Sequence, residues 1–119
     1  MRITRVANYQ ALSALAADIV IKEVQKKPDL LFCAATGGSP TGMYAEMQKE
    51  KDLFKQMRVI KMDEWGIIPS HHPDSCESYL QKHLLGPLNI PVERYVSFDP
   101  NTAESESEIQ RIESYIQAN

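Results

Sequence analysis

Thr36-Gly37-Gly38-Ser39-Pro40 follows a short apolar run and precedes a helical pattern. At a strand end, glycines let backbone N–H groups approach a ligand, and the N-terminus of the next helix favours an anion. The Thr36 and Ser39 hydroxyls add donors, so a phosphate ester is the natural guest. The segment is not a nucleotide P-loop, because no Lys follows Gly38 at that spacing, and the dinucleotide pattern G-x-G-x-x-G is absent. A plain strand-to-helix turn would carry the same residues, with Ser39 as N-cap and Pro40 as first helical residue.

Asp63-Glu64-Trp65 closes a second apolar run. Open parallel sheets bind ligands at the C-terminal ends of their strands, and a carboxylate there can act as a general base. A solvated turn acid beside a packing Trp is the plainer alternative. Two such signals on two strand ends of one sheet outweigh either alone. His71-His72-Pro73-Asp74-Ser75-Cys76, with His83 further on, invites a metal reading. Its spacing is poor, because adjacent imidazoles do not easily share one ion. A helix cap beside a ligand-lining loop accounts for it better. The acidic stretch from Glu104 to Glu108 suits a solvated helix N-terminus.

These groups need elements to position them. Residues 8–26 read as a helix capped by Asn8, with Leu12, Leu15, Ala16 and Ile19 on one face and Pro28 as its stop. Asp29 to Ala35 is apolar without alternation, which suits a strand covered on both faces. A helix from the Gly-Gly turn reaches about Lys51, and Met57 to Met62 forms the second strand. A loop over 66–73 leads to a helix opened by an Asp74–Glu77 capping box and ended at Gly86-Pro87. Arg94 to Phe98 is a third strand, and Ile109, Ile112 and Ile116 mark a last helix. Strands alternating with helices predict a three-layer α/β fold, a Rossmann-like parallel sheet with helices on both faces. Three strands make a narrow sheet whose apolar character calls for neighbours at both edges. The expected organisation is therefore 1–119 as the N-terminal part of a single domain, incomplete at its C-terminal side.

Composition narrows the function classes. With 13 Lys and Arg against 16 Asp and Glu, the net charge is −3, and basic residues are not clustered. That balance points away from nucleic acid. Hydrophobic content of 43% and charged content of 24% belong to an ordinary folded chain. The longest apolar run falls far short of a membrane span, and residues 1–8 do not read as a secretory signal. Two cysteines, Cys33 and Cys76, read as reduced thiols of a cytoplasmic protein, with Cys33 a small buried hydrophobe.

Ala34-Ala35-Thr36-Gly37-Gly38-Ser39-Pro40-Thr41-Gly42-Met43-Tyr44 resembles the phosphate loop of the glucosamine/galactosamine-6-phosphate isomerase (deaminase) family. Lys61-Met62-Asp63-Glu64-Trp65 resembles that family's acidic signature, and His72-Pro73-Asp74-Ser75-Cys76-Glu77-Ser78-Tyr79 a third block, all in order. Trp65 and Cys76-Glu77 look more like the galactosamine-6-phosphate branch. The resemblance implies aldose–ketose isomerisation with deamination of an amino-sugar 6-phosphate. Asp63 matches the proton acceptor, and Thr36, Gly37, Gly38, Ser39 and Glu64 match substrate and phosphate contacts. It implies no metal or organic cofactor, a small sugar phosphate as partner, and no nucleic acid or membrane. Association would be with further copies or with a C-terminal half that supplies the ring-opening His and a phosphate-binding Lys. The related 6-phosphogluconolactonases share the Gly loop and the acidic pair, which leaves a lactone hydrolase as one alternative. A non-catalytic sugar-phosphate-binding fragment is the other.

Overall fold

The computed structural model describes residues 3–119. The Asn8 side chain accepts from the Ala11 N–H at 2.9 Å and starts α1 (Tyr9–Lys26). Three short strands follow, β1 (Leu31–Ala34), β2 (Arg58–Lys61) and β3 (Tyr95–Val96). They form one parallel sheet in the order β1-β2-β3, with Phe32 opposite Val59, Ala34 opposite Lys61 and Ile60 opposite Val96. Between β1 and β2 lie α2 (Gly38–Met47) and a 3-10 segment, Gln48–Phe54, kinked at Glu50. Between β2 and β3 lie α3 (Cys76–Leu80) and a π-helical turn, Gln81–Leu85. The last helix, α4, spans Ser105–Gln117.

Strand alternation sends Phe32, Ala34, Val59 and Lys61 to one face of the sheet. There Ala34 and Val59 share a buried core with Ala17 and Val24 of α1, Tyr44 and Met47 of α2, and Leu80, Leu84 and Leu85. Phe32 meets the Tyr44 ring edge-on at 6.3 Å. Each buried Val, Leu or Met side chain there contributes about 1.5–3 kcal/mol, so this face carries most of the stability. α1 and α2 pack so closely that a Cβ on Gly42 would stand 2.2 Å from the Ser13 Oγ. The opposite face is thinly covered. α4 lies there at the β2 and β3 ends, where Arg111 donates to the Ser97 carbonyl at 2.7 Å and Arg58 bonds the Asn119 side chain.

Several expectations change at residue level. Cys33 is exposed rather than buried, because β1 is an edge strand and α4 does not reach over it. α2 starts at Gly38 with Gly37 as its N-cap, two residues before the expected Ser39–Pro40 start. Ser75, not Asp74, caps α3, and its Oγ accepts from the Ser78 N–H at 3.0 Å. Asp74 stays exposed, and Glu77 is drawn to other partners described below.

Candidate functional site

The Gly loop leaves β1 at Ala34 and enters α2. Gly37 has φ +106°, which side chains rarely tolerate, so the turn requires glycine there. At Gly38 an added Cβ would meet nothing within 4 Å, so the loop is open on that side. Three tyrosine hydroxyls hold the loop by its carbonyls. Tyr44 donates to the Ala35 carbonyl at 2.7 Å, Tyr79 to the Gly37 carbonyl at 2.7 Å, and Tyr9 to the Gly38 carbonyl at 2.6 Å. Within a planar trans peptide, C=O and the next N–H point in opposite directions. Pinning these carbonyls therefore aims the Thr36, Gly38 and Ser39 N–H groups away from the tyrosines. The first-turn N–H groups of α2 have no acceptor within the helix, an arrangement that favours negative charge.

The second strand end is built differently. The Glu64 side chain is wholly buried, and both its oxygens are occupied. Oε1 accepts from the Trp65 N–H at 3.0 Å and the Cys76 N–H at 2.7 Å. Oε2 accepts from the Glu77 N–H at 2.9 Å and the Lys61 Nζ at 3.1 Å. Burial pushes the carboxyl pKa up, but the three backbone N–H groups and the ammonium outweigh it and hold it at about 2. This departs from the expected substrate contact, because no lone pair of Glu64 is left facing outward. Lys61, also buried, donates onward to the Phe98 carbonyl at 3.1 Å and lies 3.5 Å from Glu77 Oε2. Glu77 in turn accepts from the Tyr95 and Ser97 hydroxyls at 2.7 and 2.9 Å.

Asp63 is exposed, and its side chain makes no hydrogen bond among the described residues. Burial and then the Asp63 charge both push the Cys33 thiol pKa up. For Cys76, burial is again the larger cause, with Glu64 and Asp63 adding to it and the Thr36 hydrogen bond opposing it. Cys76 Sγ lies 3.4 Å from Thr36 Oγ1, which joins the α3 N-terminus to the Gly loop.

A cleft of about 320 Å³ opens here, lined by Thr36, Gly37, Trp65, Asp74, Cys76 and Tyr79 among others. Gly38, Ser39 and Asp63 are not on its wall. Gly38 and Ser39 continue the loop into α2, and Asp63 precedes Trp65 at its edge. None of the lining residues is cationic. Trp65 is 63% exposed at the mouth. The following loop is fixed by Asn101, whose Oδ1 accepts from the Ile67 N–H at 2.7 Å. His72 accepts from the Asp74 N–H at 3.2 Å through Nδ1, and among the described residues no three His, Cys, Asp or Glu side chains are grouped to hold a metal.

Sequence reading missed the three tyrosines and the Lys61–Glu64–Glu77 cluster. Tyr9, Tyr44 and Tyr79 sit at unremarkable helix positions, and only tertiary packing brings their hydroxyls to one loop. Lys61 alone carried a signal: a charged residue inside an apolar strand must find a buried partner.

No family model matches the chain. It is similar to a protein named as a deaminase, AgaI, of Escherichia coli (strain K12), with 32% identity over 94% of this chain and 46% of that protein. It is similar to glucosamine-6-phosphate deaminases of Geobacillus sp. (strain WCH70), 31% identical over 99% of this chain and 49% of the relative, and of Halothermothrix orenii, 33% identical over 98% and 50%. A solved structure of a monomeric glucosamine-6-phosphate deaminase of the NagB superfamily superposes with a TM-score of 0.90 at 25% identity, over 99% of this chain and 51% of that one. The chain spans about half the length of the curated relatives it matches. Its fold is the Rossmann-like α/β fold of that superfamily. By sequence and by fold, the chain belongs to the glucosamine/galactosamine-6-phosphate isomerase (deaminase) family.

Proposed function

We propose that this chain carries the anion loop and the general base of an amino-sugar 6-phosphate deaminase. The observation that carries the reading is that β1 and β2 pair in parallel, so that the Gly37–Gly38 loop after β1 and Asp63, two residues past the end of β2, leave the same end of the sheet. The loop N–H groups take the phosphate. Asp63 is exposed and unpaired, so it is available to move a proton between sugar carbons 2 and 1. The amine stays on carbon 2, which rises to the imine level as the carbon 1 aldehyde is reduced; water then adds at carbon 2 and ammonia leaves as the ketone forms. Galactosamine 6-phosphate is the favoured substrate over glucosamine 6-phosphate, on the resemblance carried by Trp65 and Cys76-Glu77.

The cleft has no cationic lining and no His on its wall. The ring-opening acid and the phosphate-binding cation therefore come from outside this chain, which by itself does not complete turnover. We read residues 1–119 as the N-terminal part of one catalytic domain. The unpaired edge of β1 and the thinly covered face around Cys33 are where the remainder docks. Soluble sugar-phosphate chemistry fits a cytoplasmic setting, and no helix among the described residues is long and apolar enough to cross a membrane.

The test is ammonia release from the two hexosamine 6-phosphates, with 6-phosphogluconolactone hydrolysis run beside it. Background rates are expected for the isolated chain. Ammonia release should appear once the second half of a family member is supplied. Lactone hydrolysis in place of ammonia release would overturn the reading, and so would turnover by a verified 119-residue monomer.

A further inference from the structure

We infer that Glu64 is a positioning residue: its one buried carboxylate fixes the backbone on the C-terminal side of Asp63 and the start of α3 to a single point. The inference rests on the reading of Asp63 as the base and goes beyond it to what holds that base in place. Four donors converge on Glu64, from Trp65, Cys76 and Glu77 backbone N–H groups and from Lys61. Lys61 reaches on to the Phe98 carbonyl, and Glu77 to Tyr95 and Ser97. Three segments, 63–65 after β2, 97–98 after β3 and 75–77 at the start of α3, are thus tied to one cluster. Asp63 lies between two of its members, Lys61 and Glu64, while its own carboxylate bonds nothing among the described residues. A base on a clamped backbone with an uncommitted side chain is what preorganised proton transfer needs.

A purely charge-balancing role makes a different prediction. If Glu64 only neutralised Lys61, any isosteric neutral pair would serve. If it positions the cleft, the backbone acceptors matter. Gln at this site offers one acceptor oxygen where the carboxylate offers two, so part of the clamp is lost.

Cys76 reports the clamp and Cys33 is an internal reference, since Cys76 is 5% exposed and Cys33 is open to solvent. Iodoacetamide labelling of both thiols is followed by peptide mass spectrometry, with no sugar phosphate present. Glu64→Gln should raise the Cys76 rate by roughly tenfold or more through local opening, and leave Cys33 unchanged. In the Lys61→Met/Glu64→Gln double variant, Cys76 should stay fast even where thermal stability recovers. An unchanged Cys76 rate in the single variant overturns the inference, and so does a return to the parent rate in the double variant. If Glu64→Gln does not fold, amide exchange in the unsubstituted chain decides. The Trp65, Cys76 and Glu77 amides should open together, before the core amide of Val59; unrelated rates for the three overturn it. Because ligand is absent throughout, these outcomes are independent of the ammonia assay, which tests the functional reading alone.

Discussion

The Tyr79 hydroxyl lies 2.7 Å from the Gly37 carbonyl oxygen, so the Gly38 N–H is turned to the opposite side of that peptide. The Thr41 hydroxyl shares the same carbonyl at 2.9 Å and lies 2.7 Å from Tyr79. Two hydroxyl protons therefore serve three short contacts, and the loop is held from a residue 42 positions away.

Tyr79→Phe should weaken phosphate binding without unfolding the chain. Losing one neutral hydrogen bond costs about 1 kcal/mol, or roughly fivefold in affinity. Phosphate titration followed by amide NMR measures it, and Thr41→Val should add to the loss. Equal affinity in the Tyr79→Phe chain would show that the loop needs no such support.

The two loop glycines should separate. Gly37→Ala forces a side chain onto φ +106° and should cost about 1–3 kcal/mol of stability. Gly38→Ala meets open space and no such backbone demand, so stability should change by about 0.5 kcal/mol or less. Its methyl group would nonetheless crowd an approaching phosphate, so affinity should fall. Chemical denaturation beside the same titration checks both.

Acid stability should carry the mark of Glu64. Its folded pKa is about 2 against an ordinary 4.5, so the folded state binds the proton more weakly than the unfolded chain. The stabilisation is complete above the unfolded value and is lost as pH falls toward 2. Linkage puts it at about 3 kcal/mol. Glu77 is lowered as well, with its hydrogen bonds from Gln81, Tyr95 and Ser97 overcoming burial. It therefore adds in the same direction. Glu64→Gln should flatten the acid limb of a denaturation series between pH 5 and pH 2 without removing it. An unchanged limb would mean that folding does not lower the Glu64 pKa.

The strand and helix order was legible because β1 is a continuous apolar run closed by turn chemistry, and because Asn8 caps α1; the face read on α1 was not, since Leu12 and Ile19 are exposed while Ala17 and Val24 enter the core. The Gly loop was legible from residue type, since only glycine accepts the Gly37 backbone. The role of Glu64 was not. An Asp-Glu pair at a strand end looks like two equivalent acids, and only folding shows that one is buried against Lys61 while the other faces solvent. The Asp74 cap failed for a related reason. Ser75 is one residue closer to the helix, and the Glu77 side chain that would complete the box is taken by Tyr95 and Ser97. Cys33 looked buried because a parallel strand is normally covered twice, and here an edge position leaves it bare.

Asp63→Asn, placed in a chain that includes the second half of a family member, should keep the fold and remove most turnover. Loss of a positioned base costs roughly 10²–10⁴-fold. Solvent-proton exchange at sugar carbon 2 should fall with it. A near-normal rate would pass the base role to another group, since Glu64 is buried and fully bonded.

Phosphate capture by the Gly loop is tested by titrating the 119-residue chain with galactosamine 6-phosphate and following the backbone amide signals. Saturable shifts are expected at Thr36, Gly37, Gly38, Ser39 and Cys76, reproduced in part by inorganic phosphate and weakened by Gly38→Ala. Saturating ligand that leaves those amides unmoved on a folded chain would contradict that capture.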